Sequence, residues 1–421
     1  MKVAVYYPWV YLTSGVERTI VEMCRRSRHQ YTIFTNHFEP ENTFPEFRHL
    51  EVVRLPYIPV RRQLGPVMAA AMTIAFQKLD LRDYDALLVH SDGLGNLVLN
   101  RSKAIPTVCM CHTPLRAVYD PFYRARALSR FRGPGKLAYR ALASMFAVVD
   151  RRMFSRYQFV VFNSQETLTR ASAGGLLRNI DGRYGILHPG VDWHGFEPTW
   201  RYERYFLVAG RIMWTKNIEM AIEAFLRFKA SVAADDDFRL VIAGRVDKKS
   251  EPYLDELRRS VGGRSDVEFV VSPSDDVLRR LYADCYSLVF PAFNEDWGIV
   301  PLEANAYGKA TIAANRGGPA ESQKHGVTGF LVPCDADEFA TAMSRLAANQ
   351  ELARSMGMKA RVASMSFDWE DFVGRFDSIL EAATPGHETG VSMAQNKQHT
   401  AHTEHNTLMP SASRSFATGA E

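Results

Sequence analysis

Residues 287–308 read SLVFPAFNEDWGIVPLEANAYG. The opening run, SLVFPAF, is almost continuously apolar instead of alternating, as a strand reads when helices cover both of its faces. Trp297-Gly298 marks a turn, and from Ile299 onward the spacing is helical. A buried strand that leads through a short loop into a helix is the repeating half of a doubly wound sheet. Glu295 and Glu303 have seven residues between them, which puts the first on the loop and the second inside the helix. By spacing alone such a pair is common. Together with Pro291, Gly298, Pro301 and Gly308 the pattern is far more particular.

The same alternation extends in both directions. KVAVYY, YTIFTN, ALLVHS, PTVCMCHT and QFVVFNS read as strands in the first half, and RYFLVAGR, FRLVIAGR, VEFVVS and ATIAAN in the second. Segments 17–29, 216–232, 274–283 and 335–348 have helical spacing. The sequence therefore predicts an α/β protein with two Rossmann-like, doubly wound parallel-sheet domains that face a cleft. The expected boundaries are 1–195 and 196–366, because WHGFEPTWRYE at 193–203 lacks periodicity and contains Pro198. An amphipathic helix at 367–384 is expected to pack back on the first domain. Residues 385–421 are polar and aperiodic and read as a disordered tail, with no metal role assigned to its histidines.

A chain of 421 residues is long enough for two or three cores. Its hydrophobic fraction of 46% and charged fraction of 23% are those of a globular protein. Five cysteines without a CxxC pair point to neither a disulfide framework nor a zinc site, and to a reduced, cytoplasmic setting. The N-terminal apolar stretch is too short to span a bilayer and lacks a cleavage pattern, so the chain is expected to be soluble or peripheral to a membrane. The net charge of +4 is unevenly spread: ten Arg and Lys lie between Arg116 and Arg156, opposed only by Asp120 and Asp150. Such a patch attracts anionic lipid head groups or a phosphorylated acceptor; the plain alternative is a solvated helix face with a loop. No nucleic-acid-binding module accompanies it.

Several further motifs occur in order: SGVERTI (14–20), VFNSQETL (161–168), ILHPGVD (186–192), VAGRIMWTKNIEMAI (208–222) and NRGGPAESQKHGVTGFLVP (315–333). With the E-x7-E pair, these resemble the signatures of the family 4 retaining glycosyltransferases, which have the GT-B fold of two facing Rossmann-like domains. Ser14 departs from the pattern, where the family has a glycine. The resemblance implies a sugar-nucleotide donor and a set of roles. Arg211 and Lys216 would hold the diphosphate, with Gly15 letting the N-terminal loop approach it. Glu295 would bind the transferred sugar and Glu303 the ribose, beside Gly298, Ile299 and Val300. Gly317 and Gly318 would lie next to the sugar or phosphates, and the base near Ser272. Glu321 is expected to cap the helix that starts after Pro319. His112 would face the cleft and steady positive charge at the anomeric carbon through its backbone carbonyl. The catalytic set is thus His112, Arg211, Lys216 and Glu295.

CHTPLRAVYD (111–120) and EDWGI (295–299) also resemble bacterial O-antigen and exopolysaccharide mannosyltransferases, which implies GDP-mannose as donor. The expected reaction is hexosyl transfer with retention to a lipid-linked, polyprenyl-diphosphate-bearing or polysaccharide acceptor. No metal or other cofactor is expected, because no DxD pair accompanies the donor motifs. The alternatives are a UDP-sugar donor such as UDP-glucose, a sugar-nucleotide epimerase on the same fold, and a non-catalytic scaffold. Basic residues 116–156 are the expected contact with the inner face of the plasma membrane.

Overall fold

The structure is a computed structural model and describes residues 1–384 apart from 62, 103–104, 181 and 234–235. The tail expected at 385–421 lies outside the described residues.

In the first half, β1 (Lys2–Tyr6), β3 (Gln30–Thr35), β5 (Val52–Arg54), β6 (Ala86–Ser91), β7 (Thr107–Cys111), β8 (Phe159–Phe162) and β9 (Tyr184–Ile186) form one sheet, in the order β5-β3-β1-β6-β7-β8-β9. Its pairings are parallel: Val3 lies opposite Tyr31 of β3 and Ala86 of β6. A ribbon of β2 (Trp9–Val10) and β4 (His37–Phe38) lies beyond the ends of β1 and β3. Helices α1 (Gly15–Arg26), α2 (Leu64–Phe76), α3 (Arg116–Tyr119), α4 (Pro121–Ser129), α5 (Pro134–Phe154) and α6 (Gln165–Ala173) connect these strands. In the second half, β10 (Tyr205–Ala209), β11 (Arg239–Gly244), β12 (Val267–Val271), β13 (Ser287–Phe290), β14 (Thr311–Ala314) and β15 (Gly329–Val332) make a parallel sheet in the order β12-β11-β10-β13-β14-β15. Its helices are α7 (Ile218–Ser231), α8 (Glu251–Val261), α9 (Asp275–Asp284), α10 (Ile299–Ala306), α11 (Pro319–Ser322), α12 (Ala336–Ala347) and α13 (Gln350–Ser364). A last helix, α14 (Trp369–Ala383), follows.

Burial on both faces explains the near-continuous apolar strands. In β10, Phe206 and Val208 enter one core while Tyr205, Leu207 and Ala209 enter another. In β1, Ala4 and Tyr6 point to one face, and Val3 and Val5 to the other. That second face is completed by Trp369, Phe372, Val373, Phe376 and Leu380 of α14, so the chain returns to the first sheet after finishing the second. Asp377 holds the return in place, accepting from Ser27 Oγ at 2.7 Å and Arg28 N at 3.1 Å. Side-chain caps set several helix starts: Ser164 for α6, Ser274 for α9, Asp335 for α12 and Asp368 for α14. Each parallel sheet ends its strands on the side where the connecting loops carry the polar motifs, the usual ligand side of such sheets.

Candidate active site

The second half supplies the charged groups. Beyond β10, Gly210 leads to Arg211, and Lys216 follows in the short turn Trp214–Lys216 ahead of α7. Lys216 Nζ donates to Glu295 Oε2 at 2.8 Å and lies 5.1 Å from the centre of the Phe290 ring. Arg211 is partly buried, and the described residues offer it no hydrogen bond or ion pair. Its planar fork is thus available to an anion.

The loop between β13 and α10 that carries Glu295 is fixed by glycines. Gly298 has φ +78°, and a Cβ there would stand 3.1 Å from Glu295 Cγ. Gly317 has φ +64°, and its Cβ would overlap the Glu295 carbonyl. Gly318 N donates to that carbonyl at 3.0 Å. The Gly317-Gly318 pair therefore packs against the Glu295 backbone and sets where its carboxylate sits. Ile299 and Val300 open α10, whose first-turn amides have no intrahelical acceptor. Glu303, further along α10, accepts from Tyr282 Oη of α9 at 2.8 Å, which leaves its second oxygen for a ligand. Burial pushes the Glu303 carboxyl up, against the lowering effect of the Tyr282 hydrogen bond and the Arg18 and Lys216 charges. Ser272, past the end of β12, has φ +52°, a conformation glycine adopts without strain.

The first half contributes His112 and the start of α1. His112 ends β7; its N–H donates to Ser91 O at 2.8 Å and its carbonyl accepts from Asn163 Nδ2 at 3.0 Å. The carbonyl is thus held by a fixed donor and retains a second lone pair. The His112 ring stacks on His90, with Nε2 2.9 Å from His90 Nδ1. Burial pushes the His112 imidazole down to about 3, so it is neutral at any physiological pH. Gly15 opens α1 with nothing within 4 Å of an added Cβ. Ser14 is the N-cap: its hydroxyl accepts from Val16 N at 3.4 Å and donates to Glu17. A serine where the family has glycine therefore caps α1 and binds Glu17, whose other oxygen accepts from Leu12 N at 3.3 Å.

Residues that no local pattern singled out join the two halves. Asp296 pairs with Arg116 of α3 and Arg170 of α6, and Asn294 Nδ2 donates to Asp120 Oδ2. Trp297 Nε1 donates to Pro189 O at 3.2 Å, and its ring stacks on His188. Glu321 corrects an expectation. It does not cap its own four-residue helix, α11; its oxygens accept from Gln165 N at 2.7 Å and Glu166 N at 3.1 Å, and from His188 Nε2 at 3.0 Å. The open amides at the start of α6 offer stronger donors than the single turn that Glu321 belongs to. The basic patch also needs revision, because Arg116 is committed to Asp296, and Asp120 and Asp150 are buried instead of opposing the surface charges.

Two facing parallel α/β sheets with a charged cleft edge are the GT-B architecture of glycosyltransferases. The profile described as Glycosyltransferase Family 4 matches residues 13–193, and that described as Glycosyl transferases group 1 matches 197–363. The chain belongs to the family 4 glycosyltransferases and is a transferase. It is 34% identical over 155 residues to alpha-1,3/1,6-mannosyltransferase ALG2 of Homo sapiens, a match spanning 35% of this chain and only 37% of that protein. To ALG2 of Mus musculus it is 28% identical over 362 residues, 79% of this chain and 84% of the relative. The crystal structure of Anabaena Alr3699/HepE in complex with UDP and glucose superimposes with a TM-score of 0.66 at 17% identity, covering 91% of this chain and all of the other. Among the described residues, no helix is long and apolar enough to cross a membrane, and no group of three His, Cys, Asp or Glu side chains is arranged to hold a metal ion.

Proposed function

We propose that the chain transfers mannose from GDP-mannose, with retention of anomeric configuration, to a lipid-linked or polysaccharide acceptor. The mannosyltransferase names of its relatives support the sugar. The observation that carries the site is the Lys216–Glu295 contact, with Arg211 five positions before Lys216 and without a partner among the described residues. A cation and a hydrogen-bond acceptor are joined at one point, where a sugar phosphate needs both. Lys216 has three N–H donors, so it serves Glu295 and a phosphate oxygen together. Arg211, Lys216 and the amides opening α1 and α10 take the diphosphate. Glu295 accepts from the sugar hydroxyls, and Glu303, oriented by Tyr282, from the ribose.

In the reaction, the bond between the anomeric carbon and the phosphate oxygen breaks, and its electron pair leaves with the diphosphate. The acceptor hydroxyl attacks on the same face, and its proton passes to the departing phosphate oxygen. The His112 carbonyl faces the positive charge that develops at the anomeric carbon. In this reading the two cations replace a metal.

The acceptor side of the proposal rests on α4 and α5. Residues 121–149 contain six basic side chains and no acid. Leu137 is 71% exposed and Met145 53%, and with Ala141 they recur every four residues along α5. An apolar stripe flanked by Arg and Lys suits a bilayer containing anionic lipid, on the cytoplasmic face where sugar nucleotides are available. A polyprenyl-diphosphate-linked glycan held there lies next to α3 and the cleft.

A thermal-shift panel of GDP-mannose, UDP-glucose and UDP-N-acetylglucosamine, followed by NMR of the product's anomeric proton, tests the reading. Stabilisation by GDP-mannose and an α-linked product are expected. A response to UDP-glucose alone moves the donor to the UDP-sugars, and no response to any nucleotide favours a scaffold.

A further inference from the structure

Three consecutive residues, Asn294, Glu295 and Asp296, have partners in different parts of the molecule. The middle one takes Lys216 of its own half. The outer two reach across the cleft. Asn294 donates to Asp120, whose other oxygen caps α4 through Phe122 N at 2.9 Å and Tyr123 N at 3.1 Å. Asp296 binds Arg116 through one oxygen and Arg170 through the other. Arg170 is itself held by Thr113 Oγ1 at 3.0 Å and Glu166 Oε1 at 3.0 Å, and its side chain is 4% exposed. Asn294 has φ +58°, so the backbone turns at the residue that precedes Glu295.

Burial alone would raise the Asp296 carboxyl, yet Arg116 and Arg170 outweigh it and hold it below its ordinary value. A carboxylate placed between one buried and one partly buried arginine is costly to separate from them, since each separated charge must be resolvated or left unpaired. The Glu295 charge also acts on Arg116. Thr113 and Arg116 lie in the segment after His112, so the same contact ties His112's loop to Glu295's loop.

We propose that Asp296 is a positioning residue that couples closure of the cleft to the placement of Glu295 against the donor sugar, by docking between Arg116 and Arg170 of the opposite half. This rests on the reading of the chain as a sugar-nucleotide transferase with Glu295 at the donor. When the halves part, the loop loses its outer anchors, and the Glu295 carboxylate keeps only Lys216 while its backbone stays against Gly317 and Gly318. When they close, both neighbours of Glu295 are pinned and water is excluded from the donor.

The test compares wild type, Asp296→Asn and Asp296→Glu in three measurements: GDP affinity by calorimetry, turnover of GDP-mannose, and the radius of gyration by X-ray scattering. Asp296→Asn is expected to turn over roughly 10–100-fold more slowly, with GDP affinity within about threefold because GDP lacks the sugar that Glu295 holds. Its scattering is expected to show a larger particle, and Asp296→Glu should recover part of both losses. Wild-type turnover and size in Asp296→Asn would overturn the proposal, as would a loss of GDP affinity equal to the loss of turnover. Should Asp296→Asn fail to fold, Arg116→Gln breaks the same contact from the half without the donor loops and must show the same split. Failure of wild type itself to bind or turn over any sugar nucleotide counts against the glycosyltransferase reading, a result distinct from either outcome above.

Discussion

The two faces of the cleft handle buried carboxylates in opposite ways. On the first-half side, burial pushes Glu17 up to about 7 and Asp92 up to about 6, with no arginine to counter it. Deeper in the same half, burial pushes Asp150 up to about 7, against hydrogen bonds from Asn96 and Tyr119. On the second-half side, Asp296 is also largely enclosed, yet Arg116 and Arg170 hold its carboxyl below its ordinary value. Burial sets the default, and only well-placed cations reverse it. The arginines that reverse it belong to the first half, where Glu17 and Asp92 have none. That half uses two arginines, Arg116 and Arg170, to grip the loop of its partner.

The largest expected effect removes charge from the second face. Arg211→Ala or Lys216→Ala should lower turnover roughly 100- to 1000-fold if these cations stabilise the departing diphosphate. Unchanged transfer by Arg211→Ala would mean that the polar face is not the donor site. Next comes the membrane surface of the first half. Neutralising Arg124, Arg126, Arg130 and Arg132 together should weaken binding to anionic liposomes by about 1 kcal/mol per residue, while binding to neutral liposomes changes little. Equal sedimentation with anionic liposomes would reject the docking face.

A smaller effect separates the two kinds of carboxylate. Because the folded state raises the Asp150 pKa, its neutral form contributes stability that is complete below pH 4 and lost as pH rises through about 7. Wild type should therefore lose more melting temperature between pH 5 and 7.5 than Asp150→Asn does; parallel curves would contradict the assignment. His112 acts in the opposite direction: its depressed pKa costs stability only as pH falls below its ordinary value of 6.5. The smallest expected effect is none: activity should survive EDTA, and strict dependence on added Mg²⁺ or Mn²⁺ would show that the cations do not replace a metal.

The sheets were legible because doubly buried strands read as apolar runs, such as RYFLVAG and SLVFPAF, and because short loops link them to helices of clear spacing. Lys216 and Glu295 were legible as motif positions, although 79 residues separate them. Asp296 was not. Its arginines lie 180 and 126 positions away, and an aspartate next to a glutamate carries no periodic signal. Tyr282 was missed for a related reason: on α9 it reads as one more core-facing residue beside Leu278 and Leu281, and only the fold points its hydroxyl at Glu303. Glu321 shows the converse error. Its sequence neighbours suggested a local cap, whereas the open end of α6 is supplied by a different part of the chain. Helix α5 lacks a clean stripe because it has apolar residues on both sides: Phe146, Met153 and Phe154 pack inward while Leu137, Met145 and Val148 face outward.

The central claim is that Glu295 holds the transferred sugar while Lys216 and Arg211 hold the phosphates. Calorimetric titration of GDP and GDP-mannose into wild type and Glu295→Gln tests it most directly. The account predicts that GDP binds both proteins alike and that the extra affinity contributed by mannose disappears in the variant. Equal binding of GDP-mannose to the two proteins would contradict it.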